Sequence, residues 1–315
     1  MFENWTKWAV GEGLMKTTNR TLSKFFGVTA GTAEATFAAT VVIGVVQTIF
    51  GFFGALHRKE ALVTSSRQIL GSVSFGFIAT IMTVLGFIVF TFPGADVGIV
   101  TFIITLSIVP GIVLDRVFFG EKLLARQYLG IILFLFAGWA MLGFISLQEL
   151  IMLPAWVLVA FGLMFLYPLN EFITRKLAVR DKADPFVNNF WIGISTVIFS
   201  IVGFLFFVRS DWYELFYFGK VFWLVSIAMG FVVTLMVVFK LVAYKSGGTI
   251  ALKKLVMQGT HLLTAVLAGA FIFGEAITIG KIIGILIFFV AFSLVDKNTW
   301  GAFVNFSKHF LRPKT

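Results

Sequence analysis

The stretch TIALKKLVMQGTHLLTAVLAGAFIF, residues 249 to 273, is long and apolar enough to cross a bilayer, yet it carries Lys253, Lys254, Gln258 and His261. Residues three and four apart share a helix face, so Lys254, Gln258 and His261 form one stripe and Lys253, Met257, Thr260 and Thr264 an adjacent one. Lipid rejects such a face, because ionisable groups in spans point to a bundle interior or a water-filled cavity. Ammonium groups suit phosphate or carboxylate as mobile point charges. The chemistry available to this stripe is therefore anion recognition, with Gln258 and His261 hydrogen bonding deeper groups. The competing reading is snorkelling, since both lysines lie one turn, about 6 to 8 Å, inside the end of the span. Against it, the two point about 100° apart and the polar stripe continues two turns deeper.

A cavity needs a bundle around it, and the composition supplies one. The 315 residues are 59% hydrophobic and 13% charged, with a mean hydropathy of +0.99, which is the profile of an all-α integral membrane protein. Runs of about twenty apolar residues match a hydrocarbon core of roughly 30 Å. They fall at 34–57, 69–91, 95–118, 127–146, 152–171, 187–208, 220–243, 249–273 and 279–296, giving nine clear spans. Basic residues gather on one side, including Arg58, Arg116, Lys122, Arg175, Lys176, Arg180, Lys240 and Lys245. That side is expected to be cytoplasmic, together with a C-terminal tail over 297–315. The net charge of +10 is read as this loop bias rather than as a nucleic-acid surface. Residues 1–33 mix Trp5, Trp8, Phe25 and Phe26 with Lys7, Lys16, Arg20 and Lys24, a pattern expected of an N-terminal amphipathic segment lying in the interface. No cleavable signal peptide is read at the N-terminus.

Other polar residues in spans are fewer. Asn170 and Tyr167 are further candidates for substrate contact, Tyr167 as a stacking surface and Asn170 as a cavity-lining amide. Glu171 beside a basic loop reads as a solvated end residue, and helix capping accounts for one of Asn188 and Asn189. With no cysteine and three histidines, no metal cluster, cofactor motif or nucleophile–base constellation emerges, so enzymatic chemistry is not expected.

The chain also repeats itself. FGEKLLARQYLGIILFLFAGWAM (119–141) aligns without gaps to FGEAITIGKIIGILIFFVAFSLV (273–295), at an offset of 154 residues. The same offset carries three upstream spans onto one another, dividing the protein into a first repeat over 34–146 with four spans and a second over 152–296 with five. The first repeat is read as lacking its first helix. Charge bias puts Glu121 and Glu275 on opposite sides, so the repeats are inverted, an arrangement suited to opening a midplane site alternately to each side.

These features resemble the drug/metabolite transporter superfamily, which includes EamA-type exporters, nucleotide-sugar transporters and plastid phosphate translocators. The resemblance rests on Phe119-Gly120-Glu121 and Phe273-Gly274-Glu275, on Pro110, and on YPLNEFITRKL (167–177) followed by Asp184-Pro185. It covers roughly 34 to 296 and implies inverted five-helix halves around a central cavity. Gly120 and Gly274 suit tight turns, while Glu121 and Glu275 are read as meeting the dipole of the following helix or forming a gating ion pair. In nucleotide-sugar and phosphate carriers, a Lys or Lys-Arg pair resembling IALKKL contacts the substrate phosphate. The expected function is alternating-access transport of a small anionic or phosphorylated metabolite through the plasma membrane of a bacterium or an organelle membrane. The rivals are an EamA-like exporter of amino acids or other neutral metabolites, a lipid-linked substrate flippase, and a non-transporting membrane interaction subunit. Expected partners are the lipid bilayer and a small molecule, with a homodimer or a partner subunit compatible.

Overall fold

Side chains mark where several helices begin. Thr32, Ser65 and Thr249 each accept the backbone N–H three residues on, and Asp184 accepts those of Phe186 and Val187 with Pro185 in the first turn, satisfying donors that the first turn leaves unpaired. The computed structural model describes residues 4–30, 32–92, 95, 97–141, 144, 155–208 and 218–295. Within these the helices are α1 Asn4–Ala30, α2 Ala33–His57, α3 Ser66–Ile88, α4 Val97–Thr105, α5 Ile108–Phe119, α6 Ala125–Met141, α7 Ala155–Val179, α8 Pro185–Phe207, α9 Lys220–Lys245, α10 Ile250–Phe273 and α11 Ile279–Val295. No strand occurs among the described residues. The expected tail over 297–315 lies outside them.

Helices α2, α3, α7, α8, α9 and α10 are each long and apolar enough to cross a membrane. The exterior is correspondingly apolar, with Leu205, Phe206, Phe207 and Phe271 exposed, while charged and polar residues fill much of the interior. This inside-out distribution belongs to a membrane-embedded bundle. More than half of the apolar window of α10 is buried, a larger share than in any of the other five, so the lysine-bearing helix sits centrally. α2 lies along α8 and α6 along α11. α1 packs on α9 and α10, α3 on α7 and α8, and α10 on both α4 and α5.

Two expectations about the elements change. The run at 95–118 is broken into α4 and α5, where Leu106, Ser107 and Val109 close three-residue turns and Pro110 supplies no N–H. Over the described residues α6 and α11 cover 17 residues each, α11 within one residue of the expected 279–296. The largest change concerns the N-terminus. Instead of a surface-lying segment, residues 4–30 form a helix of about 40 Å whose Trp5, Ala9, Glu12, Lys16, Arg20 and Phe26 are buried. The contact with α10 is very close. A Cβ on Gly13 would stand 2.6 Å from the Met257 carbonyl oxygen, so only glycine lets the two backbones approach this far.

Candidate functional site

Lys253 is completely buried where α1, α7, α9 and α10 meet. Its ammonium donates to Glu12 Oε2 at 2.6 Å and Glu171 Oε2 at 2.7 Å, and it stands 4.6 Å from the Tyr244 ring centre. Tyr244 donates its hydroxyl to the same Glu171 oxygen at 2.5 Å. Lys254, also fully buried, points elsewhere. It donates to the Ser107 hydroxyl at 2.8 Å and carbonyl at 3.2 Å, serving backbone at the break between α4 and α5. Neither lysine snorkels.

Glu171 is likewise not a solvated end residue. α7 continues eight residues beyond it to Val179, and the carboxylate is fully buried. Its Oε1 lies 3.4 Å from Lys240 Nζ and 4.0 Å from Lys16 Nζ. Lys240 donates to Asn170 Oδ1 at 2.7 Å. Lys16 lies 3.8 Å from Glu12 Oε1 and 4.7 Å from the Tyr167 ring centre, and its ammonium makes no hydrogen bond. Arg20, one turn further along α1, donates to the Tyr167 hydroxyl at 3.3 Å. Lys16, Lys240 and Lys253 thus share two carboxylates, Glu12 and Glu171, so the lysines of the cluster outnumber its acidic partners.

A cavity of about 70 Å³ opens beside this cluster, lined among others by Lys16, Arg20, Tyr167, Lys240, Thr196 and His261. Of the sequence candidates, Tyr167, Asn170 and His261 reach it, whereas Lys253, Lys254 and Gln258 do not line it. Gln258 is buried with neither amide atom bonded. His261 is held by Thr17 Oγ1 on Nδ1 at 2.9 Å and lies 3.4 Å from Thr101 Oγ1 on Nε2. Lys16, Arg20 and Lys240 are the cavity cations that sequence reasoning missed. The first two lie in the segment read as interfacial, and Lys240 is counted with the basic residues of the expected cytoplasmic side. Their spacing did carry a signal, since residues 5, 9, 12, 16 and 20 recur at helical intervals.

The Gly-Glu turns are alike in backbone and differ in partners. Gly120 and Gly274 cap α5 and α10 with φ of 67° and 68°, a left-handed conformation that glycine adopts without penalty. Glu121 receives Arg175 at 2.5 Å, and the same guanidinium pairs with buried Asp115. Asp115 in turn accepts the Ala251 backbone N–H at 2.7 Å, fastening the start of α10. At the far end of α10, Glu275 pairs with Lys24 of α1 at 2.6 Å. Both glutamates therefore join helices through ion pairs. Asn188 and Asn189 do not cap α8, a role filled by Asp184. Asn188 accepts from Ser72 and Asn189 accepts from Gln47, each at 2.7 Å.

The chain matches no protein-family model and no curated protein. Among solved structures, one described only as the crystal structure of a protein superposes with a TM-score of 0.64 at 16% identity, over 90% of this chain and 97% of its own. At that identity the likeness establishes a shared fold.

Proposed function

We propose that this protein is a secondary transporter of the drug/metabolite type that carries a small anionic metabolite by alternating access. The observation that carries the reading is a cavity within an apolar bundle that Lys16, Arg20 and Lys240 line among apolar side chains, beside a cluster with more cations than carboxylates. A buried surplus of positive charge is costly in a membrane interior and is offset when an anion enters.

The helix pairings support an inverted repeat. Exchanging α1 with α7, α2 with α8, α3 with α9, α4 and α5 with α10, and α6 with α11 leaves the main packing pattern unchanged. In this reading α1 is the first helix of the first repeat, and its polar face lines the cavity while the apolar remainder of the bundle meets lipid. The two Gly-Glu turns then act as latches. They sit near opposite ends of α10, about 36 Å apart along its axis, and releasing either one admits the site to one side.

The test is uptake into proteoliposomes made with the full chain. Anion uptake that exceeds empty vesicles and saturates supports the reading. If instead neutral amino acids are carried and anions are not, an EamA-like exporter is the better description. Binding without flux would favour a non-transporting subunit.

A further inference from the structure

The cavity carries more than a sign of charge. Two side chains that line it are buried and have no hydrogen-bond partner: Lys16, whose ammonium offers only donors, and Thr196, whose hydroxyl donates and accepts. Asn19 Oδ1, also in the lining, is a buried acceptor without a donor. Buried polar atoms are normally paired, so three unpaired ones around one space mark what a ligand must bring. Lys16 and Arg20 are one turn apart on α1, where i and i+4 side chains share a face. An oxyanion between them would receive the Lys16 ammonium and the guanidinium N–H groups of Arg20 that Tyr167 does not take. Asn19 asks instead for a donor, which an anion lacking O–H or N–H cannot supply.

Size narrows the class. One water needs roughly 10 to 15 Å³ of such space, so about 70 Å³ accommodates on the order of five or six non-hydrogen atoms. Sites for larger ligands measure about 300 to 1,000 Å³, and a nucleotide sugar is several times too large. Lys253 takes no part, because both of its close contacts are to carboxylates of the protein itself.

We infer that the cavity is a seat for a compact oxyanion bearing its own hydroxyl, of the kind represented by the phosphate monoanion or a two-carbon hydroxycarboxylate. Its charge lies between Lys16 and Arg20, and its hydroxyl faces Asn19 and Thr196. This assignment rests on the anion-transport reading and specifies the substrate class of that site.

The experiment is thermal stabilisation of the purified full-length protein by inorganic phosphate, glycolate, acetate and UDP-glucose, since a ligand of the folded state raises its apparent stability by mass action. Phosphate or glycolate should stabilise the protein at concentrations at least tenfold below those needed for acetate, which lacks the hydroxyl. UDP-glucose should have no effect. Lys16→Gln should weaken the response at least tenfold while Lys16→Arg retains it. Thr196→Val removes a group that bonds nothing in the protein, so it should fold normally and still weaken binding about tenfold. Stabilisation by UDP-glucose, or responses unchanged in both Lys16→Gln and Thr196→Val, would overturn the seat and leave anion transport standing. If none of the anions stabilises the wild-type chain, the seat falls, and the transport reading is decided separately by the uptake assay.

Discussion

Lys253 and Lys16 reach the same two carboxylates from neighbouring helices, but they are bonded very differently. Lys253 sits 2.6 and 2.7 Å from Glu12 and Glu171, whereas Lys16 stands 3.8 and 4.0 Å from them and gives no hydrogen bond. The more conspicuous lysine in the sequence is thus the saturated one, and the cation with donors to spare lies on a helix that looks too polar to be buried. In a charged interior, the group available to a ligand is the one the protein has not already satisfied.

The sharpest way to break this comparison is Lys253→Gln. It leaves two buried carboxylates without their shortest partner and should cost about 3 to 5 kcal/mol, read as a large fall in melting temperature and in yield of folded protein. Adding Glu12→Gln should recover part of the loss, because Lys240 still faces Glu171. Arg175→Ala comes next. It unpairs Asp115 and Glu121 together and should cost about 2 to 3 kcal/mol, more than Lys24→Ala, because Asp115 is buried more deeply than Glu275 and a second carboxylate loses its partner as well. Gly120→Ala and Gly274→Ala force a left-handed side-chain residue and should each cost about 1 to 2 kcal/mol, nearly equally. Lys16→Gln should cost least, about 1 kcal/mol or below, since Lys240 and Lys253 continue to neutralise the carboxylates. A melting-temperature loss for Lys16→Gln as large as that for Lys253→Gln would erase the distinction.

What could be read in advance follows from which solvent each residue meets. α2, α3, α8 and α9 face lipid over much of their length, so hydropathy located them within a few residues. The break inside 95–118 was hidden because its residues remain apolar on both sides of Leu106 and Ser107, although Pro110 stood next to it. α1 was misplaced for the opposite reason. Its buried face contains Glu12, Lys16 and Arg20, and a rule that equates burial with apolarity turns such a helix outward. The repeat offset sets 152–171 against the N-terminus, whose polarity reads as a lacking helix. The polar stripe on α10 was legible as facing inward, yet pairing depends on residues 241 and 82 positions away, which spacing on one helix cannot reveal.

The break between α4 and α5 has a mechanical consequence. α10 is a continuous rod of 24 residues, whereas the α4–α5 pair packed against it is jointed at Leu106–Ser107, where Lys254 holds the buried Ser107 carbonyl and hydroxyl like a pin. A force applied at one end of α10 is transmitted to the other as by a lever, and the same force on α4 is absorbed by bending at the joint. On the repeat and transport proposed above, the two halves would differ in stiffness, and their strokes would be unequal in amplitude.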